Sequence, residues 1–139
     1  MKKIDDLIKL VKNKCKELLE FENKNTKPSL KIRMEIYSLI PIIADSGDRE
    51  SFILYSCHSS FIQNFIEKSL DILKNANDNN FFDIFFKQTK RIFFISYELS
   101  KAFIYLDRYF TNGNIYYPLN KNGLELYKNF FLFPQKINF

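Results

Sequence analysis

Apolar residues recur along this chain at helical rather than strand spacing. Ile4, Leu7, Ile8, Val11, Cys15, Leu18 and Leu19 fall at intervals that place them on one face of an amphipathic helix. That pattern runs out in the polar stretch Asn23-Lys24-Asn25-Thr26-Lys27-Pro28, which reads as a connector. Ser29 is placed to cap a second helix carrying Ile32, Ile36, Leu39, Ile40 and Ile43, with Asp45-Ser46-Gly47 closing it. Pro41 is expected to kink or shorten that helix, because its ring removes a backbone donor and crowds the preceding turn. Asp48 is predicted to cap a third helix whose stripe is Phe52, Tyr55, Phe61, Ile62, Phe65, Ile66, Ile72 and Leu73, ending at the loop Asn75-Ala76-Asn77-Asp78-Asn79-Asn80.

From Phe81 to Phe110 there is no Gly or Pro, and apolar residues recur as Phe82, Phe85, Phe86, Phe93, Ile95, Leu99, Ala102, Phe103 and Leu106. This is one long helix or two broken near Lys87–Arg91. Gly113 is suited to end it, Tyr116-Tyr117-Pro118 forms a linker, and Asn120 caps a last helix from Gly123 to Phe131 that Pro134 stops. With no strand alternation of useful length and no internal repeat, the expected fold is all-α: a bundle of about five helices plus a short C-terminal helix, one domain over 1–139.

Composition changes this picture in one respect. Among 139 residues there are sixteen Phe and eight Tyr but no Trp. More aromatic bulk than one small core can absorb leaves apolar area for a partner, although a residue bias with an ordinary core gives the same counts. The net charge is +5, which favours acidic partners or nucleic acid. Yet the lysines of the first helix share it with Asp5, Asp6, Glu17, Glu20 and Glu22, so a solvated surface of mixed sign is the better reading.

Candidate chemistry is sparse. The single histidine, His58, would have to anchor any triad or metal site, and its sequence neighbours Cys57 and Ser59 point elsewhere on a helix. Asp5-Asp6 and Asp45/Asp48 sit where helix starts and turns favour acids. Gly47, Gly113 and Gly123 are isolated, so no phosphate-cradling loop is present. Cys15 and Cys57 are too few for a disulfide framework or zinc cluster and read as buried thiols. No catalytic residue, metal or cofactor is expected. The start of the chain lacks the apolar stretch of a secretory signal and no later run approaches the ~20 apolar residues of a membrane span, so the default location is cytoplasmic or nuclear.

The run Tyr105-Leu106-Asp107-Arg108-Tyr109 stands out because it ends an amphipathic helix with Tyr and Arg three apart, both residue types enriched at interface anchors. Here the sequence resembles the N-terminal part of cullins, the scaffolds of multi-subunit RING-type ubiquitin ligases. Their first repeat carries a Tyr-(Leu/Met)-(Asp/Asn)-Arg signature on the last helix of a five-helix bundle. Met34-Glu35-Ile36-Tyr37 is similar to the (Met/Glu)-Glu-Leu-Tyr of the family's second helix, and Ile4-Asp5-Asp6-Leu7 to a Trp-Asp-Asp-Leu start of the first. Gly123-Leu124-Glu125-Leu126-Tyr127 resembles the Gly-Leu-Glu-Leu-Phe that opens the next segment in some members, so 118–139 looks like the start of a following repeat.

The resemblance implies a non-catalytic module of ubiquitin-dependent protein degradation whose second and fifth helices bind a BTB-fold or β-propeller substrate adaptor. Met34 and Tyr37 would then lie on one contact helix, Tyr105 and Arg108 on the other. The chain departs from the family at Thr89 and Ile4, where Trp is frequent, and at Pro41, where an aromatic or aliphatic residue is common. It also stops after roughly one repeat, without the C-terminal domain that recruits the RING subunit, which suits a scaffold fragment, a partial product or a decoy. Two other readings remain: a small basic nucleic-acid-binding protein using Lys87, Lys90, Arg91 and Lys101, and a helical homo-oligomer joined through surplus Phe.

Overall fold

The computed structural model describes residues 2–23, 30–111 and 118–132. The described residues form six α-helices and no strand, in the order α1 (Lys2–Asn23), α2 (Leu30–Ala44), α3 (Asp48–Lys74), α4 (Phe81–Ala102), α5 (Ile104–Leu106) and α6 (Leu119–Tyr127). A π-helical turn extends α5 over Asp107–Thr111, and another extends α6 over Lys128–Leu132. The expected all-α bundle is what the chain forms. The connector at 24–28, the Ser29 cap, the Gly113 stop, the Tyr116-Tyr117 linker and Pro134 lie outside the described residues.

The core follows the amphipathic faces. Ile8, Val11, Cys15 and Leu18 of α1 meet Ile32, Ile36, Ile40 and Ile43 of α2, and the same cluster takes in Leu54, Ile62 and Ile66 of α3 and Ile92, Ile95 and Leu99 of α4. α1 packs on α2, α3 on α4, and α6 lies across both α3 and α4. Polar contacts fix the seams: Lys14 and Glu35 join α1 to α2 at 2.7 Å, and Arg33 Nη1 donates to Glu98 Oε2 at 2.9 Å between α2 and α4.

Several boundaries differ from expectation, each for a local reason. α2 runs through Pro41 to Ala44, so the proline does not shorten it; what it removes is the amide that would otherwise bond the Tyr37 carbonyl. Asp48 is not a cap but the first helical residue of α3, where its carboxylate still complements the helix dipole; Gly47 holds the cap position at φ 151° and ψ 174°, a region that only glycine enters freely.

α4 is unbroken across Lys87–Arg91, and the interruption falls at Phe103 (φ −99°, ψ 13°), whose ring is fully buried and edge-on to His58 at 5.3 Å. α6 begins at Leu119, before Asn120 and Gly123, because the Asp107 carboxylate accepts the Leu119 amide at 2.8 Å and supplies the cap from twelve residues upstream. Gly123 is thus interior to α6, where a Cβ would stand 3.2 Å from Ser96 Oγ on α4. Part of the predicted stripes faces solvent as well: Phe52 and Ile72 on α3, and Phe82, Phe86 and Phe93 on α4, are exposed.

His58 is a core residue. Burial pushes its imidazole down to about 3; Nε2 lies 3.5 Å from Ser100 Oγ, and Nδ1 has no hydrogen-bond partner. No group of three or more His, Cys, Asp or Glu among the described residues is arranged to hold a metal ion, and no described helix is long and apolar enough to cross a membrane.

Candidate docking surface

Ile32, Ile36, Ile40 and Ile43 occupy the buried side of α2, so the residues between them are turned outward by the 3.6-residue repeat. Leu30, Met34, Tyr37 and Pro41, spaced at four, three and four, form a stripe on the opposite side. Leu30 is exposed, Met34 and Tyr37 retain 48% and 40% of their accessible surface, and Pro41 is half-buried. α2 is therefore apolar on both sides, although only one of them meets the core. Asp45, one residue past the helix, continues the outer stripe.

The second half of the surface comes from the segment after Phe103. Because α4 breaks there, Ile104–Leu106 and the π-helical turn that follows are re-aimed against the end of α2. Leu106 and Phe110 point into the core, which leaves Tyr105, Arg108 and Tyr109 on the outside. The Tyr105 hydroxyl donates to Asp45 Oδ1 at 2.5 Å, and its ring lies 4.4 Å from that of Tyr109. The bond to the Asp45 carboxylate, helped by partial loss of water, pushes the Tyr105 phenol up to about 12, so it remains a donor at neutral pH. Arg108 is exposed and makes no ion pair among the described residues.

Between these elements lies a cleft of about 230 Å³, lined by Asp45 and Asp48 from the α2–α3 turn and by Tyr105 and Tyr109. Gly47 is in its wall, and the positive φ of that glycine is what allows α3 to leave so close to the end of α2. The cleft brings two carboxylates and two aromatic rings together. A partner's guanidinium, ammonium or amide group suits it, with Arg108 beside it offering a fork of donors to a carboxylate. A larger groove of about 440 Å³ lies elsewhere, between α1 and α3, and touches none of these residues.

All four residues singled out in the sequence, Met34, Tyr37, Tyr105 and Arg108, are thus at least partly accessible, on two elements that pack together. Tyr105 meets the end of α2 directly; Met34 and Tyr37 lie two to three turns further along it, roughly 12–16 Å by helical rise. Sequence reading missed Asp45, taken only as part of a turn, and Leu30, and it named Tyr109 only as the end of the Tyr105–Tyr109 run; Leu30 and Tyr109 enlarge the apolar face. For Leu30 the signal was present: its spacing from Met34 and Tyr37 continues the outer stripe. The pairing of Asp45 with Tyr105, sixty positions apart, has no local signal.

The chain matches no family model, no curated protein and no solved structure.

Proposed function

We propose that the face shared by α2 and α5 docks a protein, and that the chain is a non-catalytic module of the kind found at the N-terminus of cullin scaffolds, receiving a BTB-fold or β-propeller substrate adaptor. The observation that carries the reading is the meeting of two elements distant in sequence. The resemblance assigns adaptor binding to the second helix and to the segment containing Tyr105 and Arg108, and these pack together through the Tyr105–Asp45 hydrogen bond. The surface has the make-up of an interface centre, with Tyr105 and Tyr109 lining a small cleft and exposed Met34, Tyr37 and Arg108 on the same two elements. In this reading Met34, Tyr37 and Tyr109 supply apolar contact, the cleft takes a polar side chain, and Arg108 makes charge-assisted hydrogen bonds.

The test is capture of a purified BTB-fold adaptor and a purified β-propeller adaptor by the wild-type chain and by two variants, each with its thermal melt. Arg108→Glu is exposed and keeps the melt. Tyr105→Ala combined with Arg108→Glu removes both anchors. Loss of tenfold or more in affinity for one adaptor, with Arg108→Glu melting normally, is the expected result. Capture by neither adaptor, or capture unchanged in well-folded variants, sinks the proposal.

A further inference from the structure

α4 carries a second exposed apolar face. Phe82, Phe86, Phe93 and Tyr97 fall within roughly a 60° arc of the helix and span about 22 Å of its length. They retain 69%, 60%, 45% and 54% of their accessible surface, respectively. This face is distinct from the α2/α5 surface: Glu98 marks the side of α4 turned to α2 through Arg33, whereas Phe93 lies on the opposite flank, against Tyr127 of α6 at 4.8 Å. Large aromatic side chains in a row are uncommon on a surface with no partner.

The charges beside the row are of one dominant sign. Lys90 and Lys101 flank the row, Lys87 lies further round the helix, and all three are exposed and make no ion pair among the described residues; of the acids on α4, Asp83 stands at the N-terminal end and Glu98 is engaged by Arg33. Lys101 lies over the Tyr97 ring at 4.4 Å, so its ammonium is held at the apolar edge. We infer that this face docks an amphipathic helix of another protein, with apolar residues on the contact side and Asp or Glu on its flanks.

Helix-on-helix docking reads out anchors at three- and four-residue intervals, as the aromatic residues here are spaced, and acids on the flanks complement the lysines. A second copy of this chain fits less well, because it sets lysine against lysine in a molecule of net charge +5. Single-stranded nucleic acid needs open ring faces on which to stack. Here Lys101 lies over Tyr97 and Phe93 leans on Tyr127, so only Phe82 and Phe86, one helical turn apart, offer open rings.

A charge-swap binding experiment tests this on the full chain. The probes are two synthetic amphipathic helices of about 20 residues with the same Leu contact face, one flanked by Glu and one by Lys. The wild-type chain should bind the Glu-flanked helix at least tenfold more tightly than the Lys-flanked one. Lys87→Glu with Lys90→Glu should reverse that preference, and Phe82→Ser with Phe86→Ser, all at exposed positions, should weaken both by tenfold or more at unchanged melting temperature. Equal binding of the two helices, or indifference to both pairs of substitutions, overturns the inference. So does a dimer in light scattering that the Phe82→Ser, Phe86→Ser chain loses, or polyuridylate binding that displaces the Glu-flanked helix and disappears in moderate salt. Arg108→Glu should leave helix binding intact, which separates this face from the adaptor surface.

Discussion

At the scale of single residues, His58 shows how a buried polar group becomes a condition on stability. The imidazole is held down to about 3 by burial, against 6.5 in an unfolded chain. Between those values the unfolded state binds a proton that the folded state refuses, so stability is full above pH 6.5 and declines as pH falls toward 3. The slope approaches about 1.4 kcal/mol per pH unit. His58→Leu removes the contribution. The difference in unfolding free energy between wild type and His58→Leu, measured by denaturant titration from pH 7 to 4, should shift steadily in favour of the variant as pH drops; a constant difference would contradict the assignment. Gly47 is the other residue with an individual demand. Its φ of 151° penalises any side chain, and Gly47→Ala should lower stability by about 1–3 kcal/mol.

At the scale of helices, periodicity is legible in the sequence and context is not. The inner faces of α1 and α2 are readable because isoleucine, leucine and valine recur at three and four. The outer stripe of α2 and the row on α4 are harder, since an apolar residue on a helix does not declare which side the core is on. Phe82, Phe86 and Phe93 belong to the same periodic series as Leu99 and Ala102, yet a helix apolar around so much of its circumference cannot bury all of it in a bundle this small. The break at Phe103 and the cap on α6 escape for a different reason. The break at Phe103 has no Gly, Pro or neighbouring cap residue to mark it and coincides with burial of a ring against His58; the start of α6 is marked only by Pro118, and the side chain that caps it is a carboxylate twelve positions away.

Two substitutions probe these elements. Pro41→Ala restores the amide missing from α2 and gains helix propensity, so the thermal midpoint should rise by several degrees, the equivalent of about 1–3 kcal/mol. A lowered midpoint would mean that the proline ring packs better than its half-buried position implies. Gly123→Val should do the reverse. Its branches would drive into Ser96 and Ile62, which stand 3.2 and 3.6 Å from the point a Cβ would occupy, and overpacking of this kind costs about 1–3 kcal/mol.

At the scale of the whole molecule, the bundle separates its tasks by surface. Helices α1 to α4 supply a shared core; the outer side of α2 with α5 presents a Tyr, Met and Arg face with an acidic cleft at one end, and the outer side of α4 presents aromatic rings beside lysines. Changes confined to exposed residues of the two faces should therefore be independent. The stability effects of Arg108→Glu and Phe86→Ser are expected to add within about 0.5 kcal/mol in the double variant, as for sites with no common neighbours. A larger departure in chemical denaturation would reveal coupling between the faces through α4.

The two cysteines have a practical bearing on all of these measurements. Cys15 and Cys57 are buried, and loss of water raises both thiols above the ordinary cysteine range, so at neutral pH little of either is in the reactive thiolate form. Both native thiols should therefore react slowly with maleimide, Cys57 faster than Cys15 because it lines the groove between α1 and α3. A single cysteine introduced at exposed Ser38 on α2, or at exposed Lys90 on α4, becomes the preferred attachment point for a fluorophore, and each docking face can be watched separately without first stripping the protein of its own sulfur.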